Sequence, residues 1–152
     1  MLFRSGRLGV PVQLAFAFTD EKTVKKDWEL AGRNKFIKTG LQLYGSAGEV
    51  RTHKLLTGDF KITIDCIAPD ATTVRVCGEE YDIGTPKRWA IIQRSGNKLA
   101  ISNDSGNNKV VELKGDIEAP ADFRILMKVE IAPTPKPLEL RQVKIEGFEI
   151  GQ

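Results

Sequence analysis

The sequence contains little cysteine, histidine or aromatic residue for its 152 positions. Its two cysteines, Cys66 and Cys77, are too few for a disulfide framework and lack the CxxC spacing of zinc and redox sites. A bridge between them requires a hairpin tip at Ala71 and Thr72; two unbridged thiols are the alternative. His53 is the only histidine, so a histidine-rich zinc site is excluded, and no Gly-rich elbow marks an activated nucleophile.

Long apolar runs and blocks of one charge are also missing. No run approaches the ~18 apolar residues of a membrane span, so we expect no membrane partner. The 23 Lys and Arg are interspersed with 20 Asp and Glu, and the aromatic residues do not interleave with basic ones, so we expect no nucleic-acid partner. Pro11 and Gln13 interrupt the apolar stretch near the N-terminus, which makes a cleaved export signal unconvincing. The sequence therefore predicts a soluble protein and leaves its location open.

An alternation of apolar and polar residues is the clearest positive feature of the chain. In residues 58–66, Phe60, Ile62 and Ile64 occupy one phase and polar side chains occupy the other, which is typical of a strand buried on one face. The same period returns in residues 123–131. Because no stretch of helical length shows a period near 3.6, the chain is predicted to be all-β.

About a dozen short segments of this kind predict a two-sheet antiparallel sandwich. Residues 19–27 read as a polar connector, and residues 89–114 read as a meander with turn-rich breaks. The last segment changes phase near Arg141 and Gln142, which predicts a β-bulge there. We assign residues 12–152 to one β-sandwich domain and residues 1–11 to an N-terminal extension.

The order of several landmarks resembles that of the concanavalin A-like lectin/glucanase jelly rolls. These landmarks are Trp28, Gly40–Leu43, Thr52, Gly58–Ile62, Trp89–Asn97 and Val143–Ile145. Within that superfamily the chain looks most like bacterial laminin-G-like domains and 3-keto-disaccharide hydrolase-like domains. The resemblance covers about residues 12–150 and rests on strand order and core positions, so it bears on the fold more than on the function.

The resemblance implies two curved sheets, with sugar bound across the concave face or at its rim. It also implies that ten side chains fill the space between the sheets: Trp28, Phe60, Ile62, Ile64, Trp89, Ile91, Phe123, Ile125, Met127 and Ile145. The polar phase of the central strands then supplies the candidate ligand-binding residues, which are Tyr44, His53, Asp65, Arg75 and Arg94. The alternative is that such residues pair across strands on a solvated surface.

A catalytic pair of carboxylates is the signature that a glycosidase requires. Glucanase members of the superfamily carry Glu-x-Asp-x-x-Glu on one strand, and the nearest match here places Glu80 and Asp82 in that pattern. Thr85 replaces the third acid, and Pro86 ends the strand. A proton donor is therefore missing, and we predict no catalytic residue and a solvated edge position for both acids.

Calcium is the metal most often found in this kind of sandwich. Residues 103–108 offer oxygen atoms, but only Asp104 carries a carboxylate, and the EF-hand spacing is absent. A hairpin turn containing Gly106 explains the same residues. The sequence thus predicts no metal site and no cofactor, because no motif supports calcium.

These observations predict a noncatalytic binding or interaction module, with carbohydrate as the first expected ligand and a protein partner as the second. The alternatives are a glycoside-processing hydrolase resembling the 3-keto-disaccharide hydrolase-like domains, and a structural accessory domain of a larger bacterial protein. A shallow groove with an exposed aromatic side chain favours binding, a deep cleft with two carboxylates favours the enzyme, and a flat charged face favours the accessory role. The oligomeric state is left open.

Overall fold

A computed structural model describes residues 10–44, 48–52, 55–68, 72–106, 108–114, 122–126 and 137–150. Within these ranges the chain forms one short helix and thirteen strands. Their bounds are β1 Val10–Ala17, α1 Glu21–Asp27, β2 Trp28–Ala31, β3 Asn34–Ile37, β4 Gly40–Leu43, β5 Glu49–Thr52, β6 Leu55–Ile67, β7 Thr72–Val76, β8 Glu79–Gly84, β9 Trp89–Ser95, β10 Lys98–Asn103, β11 Asn108–Glu112, β12 Arg124–Leu126 and β13 Leu138–Ile150.

The strands form two antiparallel sheets. The large sheet has eight strands in the order β11-β10-β9-β6-β13-β4-β3, and β1 also pairs with β13. The small sheet has five strands in the order β2-β5-β12-β7-β8. A single cluster of buried apolar side chains contains residues from both sheets. The predicted all-β, two-sheet antiparallel sandwich is confirmed.

The two longest strands, β6 and β13, lie side by side at the centre of the large sheet. In β6 the predicted alternation is confirmed, because Ile62 and Ile64 are fully buried while Thr63 and Asp65 are half-buried on the opposite face. The predicted bulge in β13 is confirmed by a register shift between Leu140 and Gln142. This bulge restores the same inward phase after the shift, so β13 keeps one face in the core.

Seven of the ten predicted core side chains lie in the interior: Trp28, Phe60, Ile62, Ile64, Phe123, Ile125 and Ile145. The Trp28 indole makes edge contacts with the rings of Phe16, Phe18 and Phe123, at centroid distances of 5.3, 5.1 and 6.2 Å. Met127 lies outside the described residues. Trp89 and Ile91 are on the outer face of the large sheet, and the prediction that they fill the core is wrong.

The connector after β1 contains the helix α1, which the sequence reading missed. Asp20 caps the helix by accepting hydrogen bonds from the Lys22 backbone N–H at 3.2 Å and the Thr23 hydroxyl at 2.7 Å. Val24 is the one buried residue of the helix. Because only one of its seven residues is a buried apolar residue, the sequence shows no 3.6-residue period here. The N-cap residue Asp20 is the one helix signal that the sequence contains.

The cysteines do not form the hairpin pair considered above. Cys66 lies on β6 of the large sheet, and Cys77 lies in the turn between β7 and β8 of the small sheet. Both thiols are free.

Several predictions concern segments that the structure describes only in part. Strand β1 begins at Val10, and residues 1–9 lie outside the described ranges, so the division into an extension and a domain stays a prediction. Of the predicted strand 123–131, Arg124–Leu126 forms β12 and residues 127–131 are not described. Among the helical residues with a description, no helix has the length and apolar character needed to cross a membrane.

Candidate functional site

A shallow groove of about 240 Å³ lies on the outer face of the large sheet. Three adjacent strands position its side chains. Gln142 on β13 pairs with Asp65 on β6, and Asp65 pairs with Trp89 on β9. Since directly opposed residues of antiparallel strands share a face, these three side chains form one row across the sheet. The described residues that line the groove are Thr63, Asp65, Arg88, Trp89, Gln142 and Lys144.

The Trp89 indole is the large apolar side chain of this groove, and it is 38% exposed. In β9 the inward phase consists of Ala90, Ile92 and Arg94, so Trp89 and Ile91 face outward. The sequence reading chose the opposite phase because both phases of this strand begin with apolar residues. The two phases are only distinguished by the register with β6, which aligns Ile92 with the buried Ile62.

The chain segment that carries Arg88 and Trp89 is held by the turn after β10. The Asp104 carboxylate accepts hydrogen bonds from the backbone N–H groups of Lys87, at 2.9 Å, and Trp89, at 3.4 Å. Burial alone raises the pKa of Asp104, but backbone hydrogen bonds from residues 87–89 and its own N–H lower it below the ordinary value. The carboxylate therefore stays ionised and stabilises the segment at neutral pH.

Two neighbouring residues of the same turn also form hydrogen bonds, with the end of β8 and the residue that follows it. The Asn103 amide donates to the Ile83 carbonyl at 2.6 Å, and the Ser105 hydroxyl donates to the Thr85 carbonyl at 2.7 Å. Three residues considered as calcium ligands thus make hydrogen bonds within the protein. In the described part of the chain, no group of three or more His, Cys, Asp or Glu side chains is arranged to hold a metal ion.

The described residues of the groove carry more positive than negative charge. Neither the Arg88 guanidinium nor the Lys144 ammonium makes an ion pair with a carboxylate in the described ranges. Asp65 lies near Arg141, whose pKa is raised first by its 2.7 Å hydrogen bond to Glu139 and in smaller part by the charges of Glu139 and Asp65. Among the described lining residues, the groove therefore has two cations without an ion pair and one carboxylate.

Of the four predicted site residues that the structure describes, only Asp65 lines this groove. Arg75 lies on the outer face of the small sheet, in a row with Arg124 and Arg51. Arg94 is 3% exposed between the sheets, where its Nε donates to the Gly96 carbonyl at 2.8 Å. The expected location of Arg94 in the solvated polar phase is wrong, since the residue shares the inward phase of β9.

Of the other two candidates, Tyr44 is not among the residues that line the groove. Tyr44 follows β4, its hydroxyl donates to Gln42 Oε1 at 2.9 Å, and the Arg33 guanidinium lies 4.6 Å from its ring centroid. His53 lies outside the described residues. Whether these two residues contact a ligand stays a prediction.

Five of the six groove residues were not among the predicted ligand-binding residues. Thr63 shares the polar phase of β6 with Asp65, so the alternation itself is the signal that could have identified it. Gln142 and Lys144 could have been found in the same way, from the polar phase that follows the predicted bulge. Arg88 precedes its strand and carries no periodic signal.

The predicted edge positions of Glu80 and Asp82 agree with the structure. Both side chains are exposed on β8, the edge strand of the small sheet, and Asp82 accepts a hydrogen bond from the Gly84 N–H at 2.7 Å. Asp82 also lines a second groove of about 460 Å³, together with Ile101, Asn108 and Lys109. Asp82 is the one carboxylate among the lining residues described for that groove, so it does not form a glycosidase pair there.

Comparisons with known proteins bear on the fold. No family model matches the sequence, and no curated protein matches it. Among solved structures, a legume lectin-like domain from Entamoeba histolytica has a TM-score of 0.62 at 11% identity, covering 91% of this chain and 97% of that one. Lectin II from Ulex europaeus has a TM-score of 0.58 at 10% identity, with coverage of 89% and 97%. The apo Crh5 transglycosylase has a TM-score of 0.59 at 12% identity, with coverage of 93% and 87%.

The chain has the concanavalin A-like lectin/glucanase fold. The expected resemblance to this superfamily is thus confirmed at the level of the fold. At 10–12% identity the similarity shows the fold alone. Because the structures of similar fold include both lectins and a transglycosylase, the function must be argued from the residues of the groove.

Proposed function

We propose that this chain is a noncatalytic carbohydrate-binding module and that the groove beside Trp89 holds the sugar. The observation that carries the proposal is the outward-facing Trp89 indole, 38% exposed and directly opposite Asp65 on the neighbouring strand. A large aromatic ring on a sheet face offers a flat apolar surface, and the C–H face of a pyranose ring is complementary to it. An indole that only filled space would lie inside the sandwich, as Trp28 does.

The polar lining of the groove matches the hydroxyl groups of a sugar. Asp65 supplies acceptor oxygens, Arg88 and Lys144 supply donors, and Gln142 and Thr63 supply both. Sugar hydroxyls donate and accept hydrogen bonds, so such a mixed set satisfies more of them than a purely cationic or acidic surface. Except for Arg88, which precedes β9, these side chains stand on the paired strands β6 and β13, which fixes their spacing before a ligand arrives.

The size of the groove favours a segment of a saccharide chain over an enclosed small molecule. At about 240 Å³ it is smaller than the ~300–1,000 Å³ that small-molecule pockets usually have. It lies on the outer face of β6, β9 and β13, where a saccharide chain can lie across the strands. A shallow groove with an exposed aromatic ring favours binding over catalysis.

The carboxylates argue against the hydrolase alternative. A glycosidase requires two carboxyl groups about 5–9 Å apart across the scissile bond. Asp65 is the one carboxylate among the lining residues described for this groove. Glu80 and Asp82 lie on the other sheet, at its edge. The enzyme resembling the 3-keto-disaccharide hydrolase-like domains is therefore the second candidate, and the structural accessory domain is the third.

The subfamily, the origin of the chain and a protein partner all stay predictions. We propose closeness to the laminin-G-like and 3-keto-disaccharide hydrolase-like domains of the superfamily, and a bacterial origin, on the sequence landmarks alone. A protein partner is the second expected ligand, and it would use the same exposed indole, since tryptophan is enriched where binding energy is concentrated.

The proposal is tested by titrating the protein with a panel of neutral and acidic oligosaccharides, with and without calcium, while tryptophan fluorescence is recorded. Trp28 is 1% exposed and Trp89 is 38% exposed, so a ligand-dependent change in fluorescence reports on Trp89. We expect binding of at least one saccharide, and we expect Trp89→Ala to weaken it by about 2 kcal/mol, close to thirtyfold in Kd. Calorimetric titration measures the affinity of this variant, because without Trp89 its fluorescence no longer reports binding in the groove.

Val110→Ala is the matched control, because Val110 is a 67% exposed apolar residue on the outer face of the same sheet but outside the groove. This variant should bind like the unaltered protein. If no saccharide binds at millimolar concentration, the proposal fails. Release of a cleaved product during the titration would support the hydrolase instead.

A further inference from the structure

The charges of the groove select a class of saccharide. We infer that the ligand is an acidic saccharide, in which a carboxylate on the sugar contacts Arg88 or Lys144 while a ring lies against Trp89; this inference rests on the proposed function. The observation behind it is the pair of cations in the groove that make no ion pair with a described carboxylate.

On the outer face of the small sheet, two arginines are neutralised by carboxylates of the protein itself. Arg51 pairs with Glu29 and approaches Asp122 at 3.8 Å. In the same row, Arg124 approaches Asp122 at 3.3 Å and Glu49 at 3.7 Å. This face therefore satisfies much of its positive charge without a ligand.

In the groove the situation is different. Arg88 and Lys144 carry two positive charges against the one negative charge of Asp65, a net charge of +1. Asp65 makes no ion pair with either cation among the described residues, and a single carboxylate cannot neutralise both. Arg88 precedes β9 and Lys144 lies on β13, with β6 between them, so their backbones are about 10 Å apart across the strands. Lys144 is level with Ile91, which adds a further separation of about 10 Å along the strands. An anionic group on the ligand can therefore reach a cation at either side of Asp65.

A carboxylate on a sugar suits this arrangement better than a hydroxyl does. The guanidinium of Arg88 presents a planar set of donors that matches both oxygens of a carboxylate, and such charge-assisted hydrogen bonds are roughly twice as strong as neutral ones. Asp65 then accepts from the hydroxyls of the same sugar and disfavours a second anionic group near the middle of the groove. The combination selects a chain that carries both hydroxyls and spaced carboxylates, as a uronate polymer does.

The test compares oligomers of galacturonate, glucuronate and mannuronate with the neutral oligomers of galactose, glucose and mannose of equal length and linkage. Poly-L-glutamate serves as an anion without sugar. We expect at least one uronate oligomer to bind tenfold or more tightly than its neutral counterpart and than poly-L-glutamate. Arg88→Gln should reduce the ratio of uronate to neutral affinity by about tenfold. Lys98→Gln, which removes the same charge from an exposed lysine outside the groove, should leave that ratio unchanged.

The outcomes separate the two proposals. If a neutral oligomer binds as tightly as its uronate counterpart and Trp89→Ala abolishes that binding, the inference on acidity is wrong and the carbohydrate-binding function stands. Equal binding of poly-L-glutamate and uronate, or an equal effect of the Arg88→Gln and Lys98→Gln substitutions, also overturns the inference, because attraction to the basic protein then explains the result. If neither class of saccharide binds, both proposals fail.

Discussion

The Asp104 carboxylate accepts a hydrogen bond from the backbone N–H of Lys87, with 2.9 Å between Oδ1 and N. The bond joins the turn after β10 to the segment that leads into β9, although the two residues are 17 positions apart. The same oxygen lies 3.4 Å from the backbone N of Trp89, the residue on which the proposed function depends. The site is therefore supported by a residue that does not line it.

Asp104→Asn should destabilise the protein at neutral pH and do so less as the pH falls. The pKa of Asp104 is lowered in the folded state, so its carboxylate contributes stability above its ordinary pKa, and this contribution is lost as the pH falls through the folded value. Urea unfolding at a series of pH values between about 7 and 2 measures the difference between the two proteins. We expect the two curves of unfolding free energy against pH to converge at low pH. Parallel curves would show that the charge of Asp104 is not what stabilises this segment.

The replacement of Trp28 by phenylalanine should be much less harmful than its replacement by alanine. The Trp28 indole is surrounded by Phe16, Phe18 and Phe123, and its buried Nε1 has no hydrogen-bond partner in the described part of the chain. Phenylalanine keeps the ring contacts and removes an unsatisfied N–H, which is itself unfavourable by ~1–3 kcal/mol. We expect a loss of about 1 kcal/mol for phenylalanine and ~3–5 kcal/mol for alanine, measured by urea unfolding. Similar losses for both variants would contradict this.

Gly147→Ala should destabilise the sandwich by about 2 kcal/mol. A Cβ at this position would lie 2.7 Å from the Phe60 Cβ and 3.0 Å from the Asp59 carbonyl oxygen, so strands β6 and β13 would have to separate locally. Gly78→Asn is the control, because Gly78 has open space around it and a φ of 78° that asparagine tolerates. Thermal unfolding should show a clear fall in Tm for the first variant and a small change for the second. A fall of equal size in both would refute the steric explanation.

The two thiols should react at very different rates. Burial, with smaller contributions from the charges of Asp65 and Asp104, raises the pKa of Cys66 to about 12, and its side chain is 1% exposed. Burial also raises the pKa of the half-buried Cys77, but the charge of Arg94 opposes that shift. We expect a disulfide reagent at pH 8 to modify one thiol in the native protein and two after unfolding. Cys77→Ser should remove the native reaction; if it persists, Cys66 is the accessible thiol.

Much of the architecture was predictable because it depends on a local pattern. The two-residue alternation in β6 identifies a half-buried strand from six residues, and the change of phase near Gln142 identifies the bulge in β13. Both features arise from side-chain direction along one strand, which the order of residues specifies directly. The helix α1 was missed because its single buried residue, Val24, leaves no period to read.

The site was much less predictable, and β9 shows why. Its residues Trp89, Ala90, Ile91 and Ile92 place apolar side chains in both phases, so the strand by itself is compatible with either face inward. Arg94 then occupies an inward position that its charge would not suggest. The partner strand resolves the ambiguity, since β6 has only one apolar face and the register aligns Ile62 with Ile92.

The order of residues determined that this chain forms antiparallel strands with one apolar face each, because the alternation that buries one face is present within each strand by itself. Only the tertiary structure decided which strands became neighbours, and with that which polar residues meet outside. Asp65, Trp89 and Gln142 are far apart in the sequence and share a row through two strand registers. A register is a property of a pair of strands, so no single strand contains the information that assembles the groove.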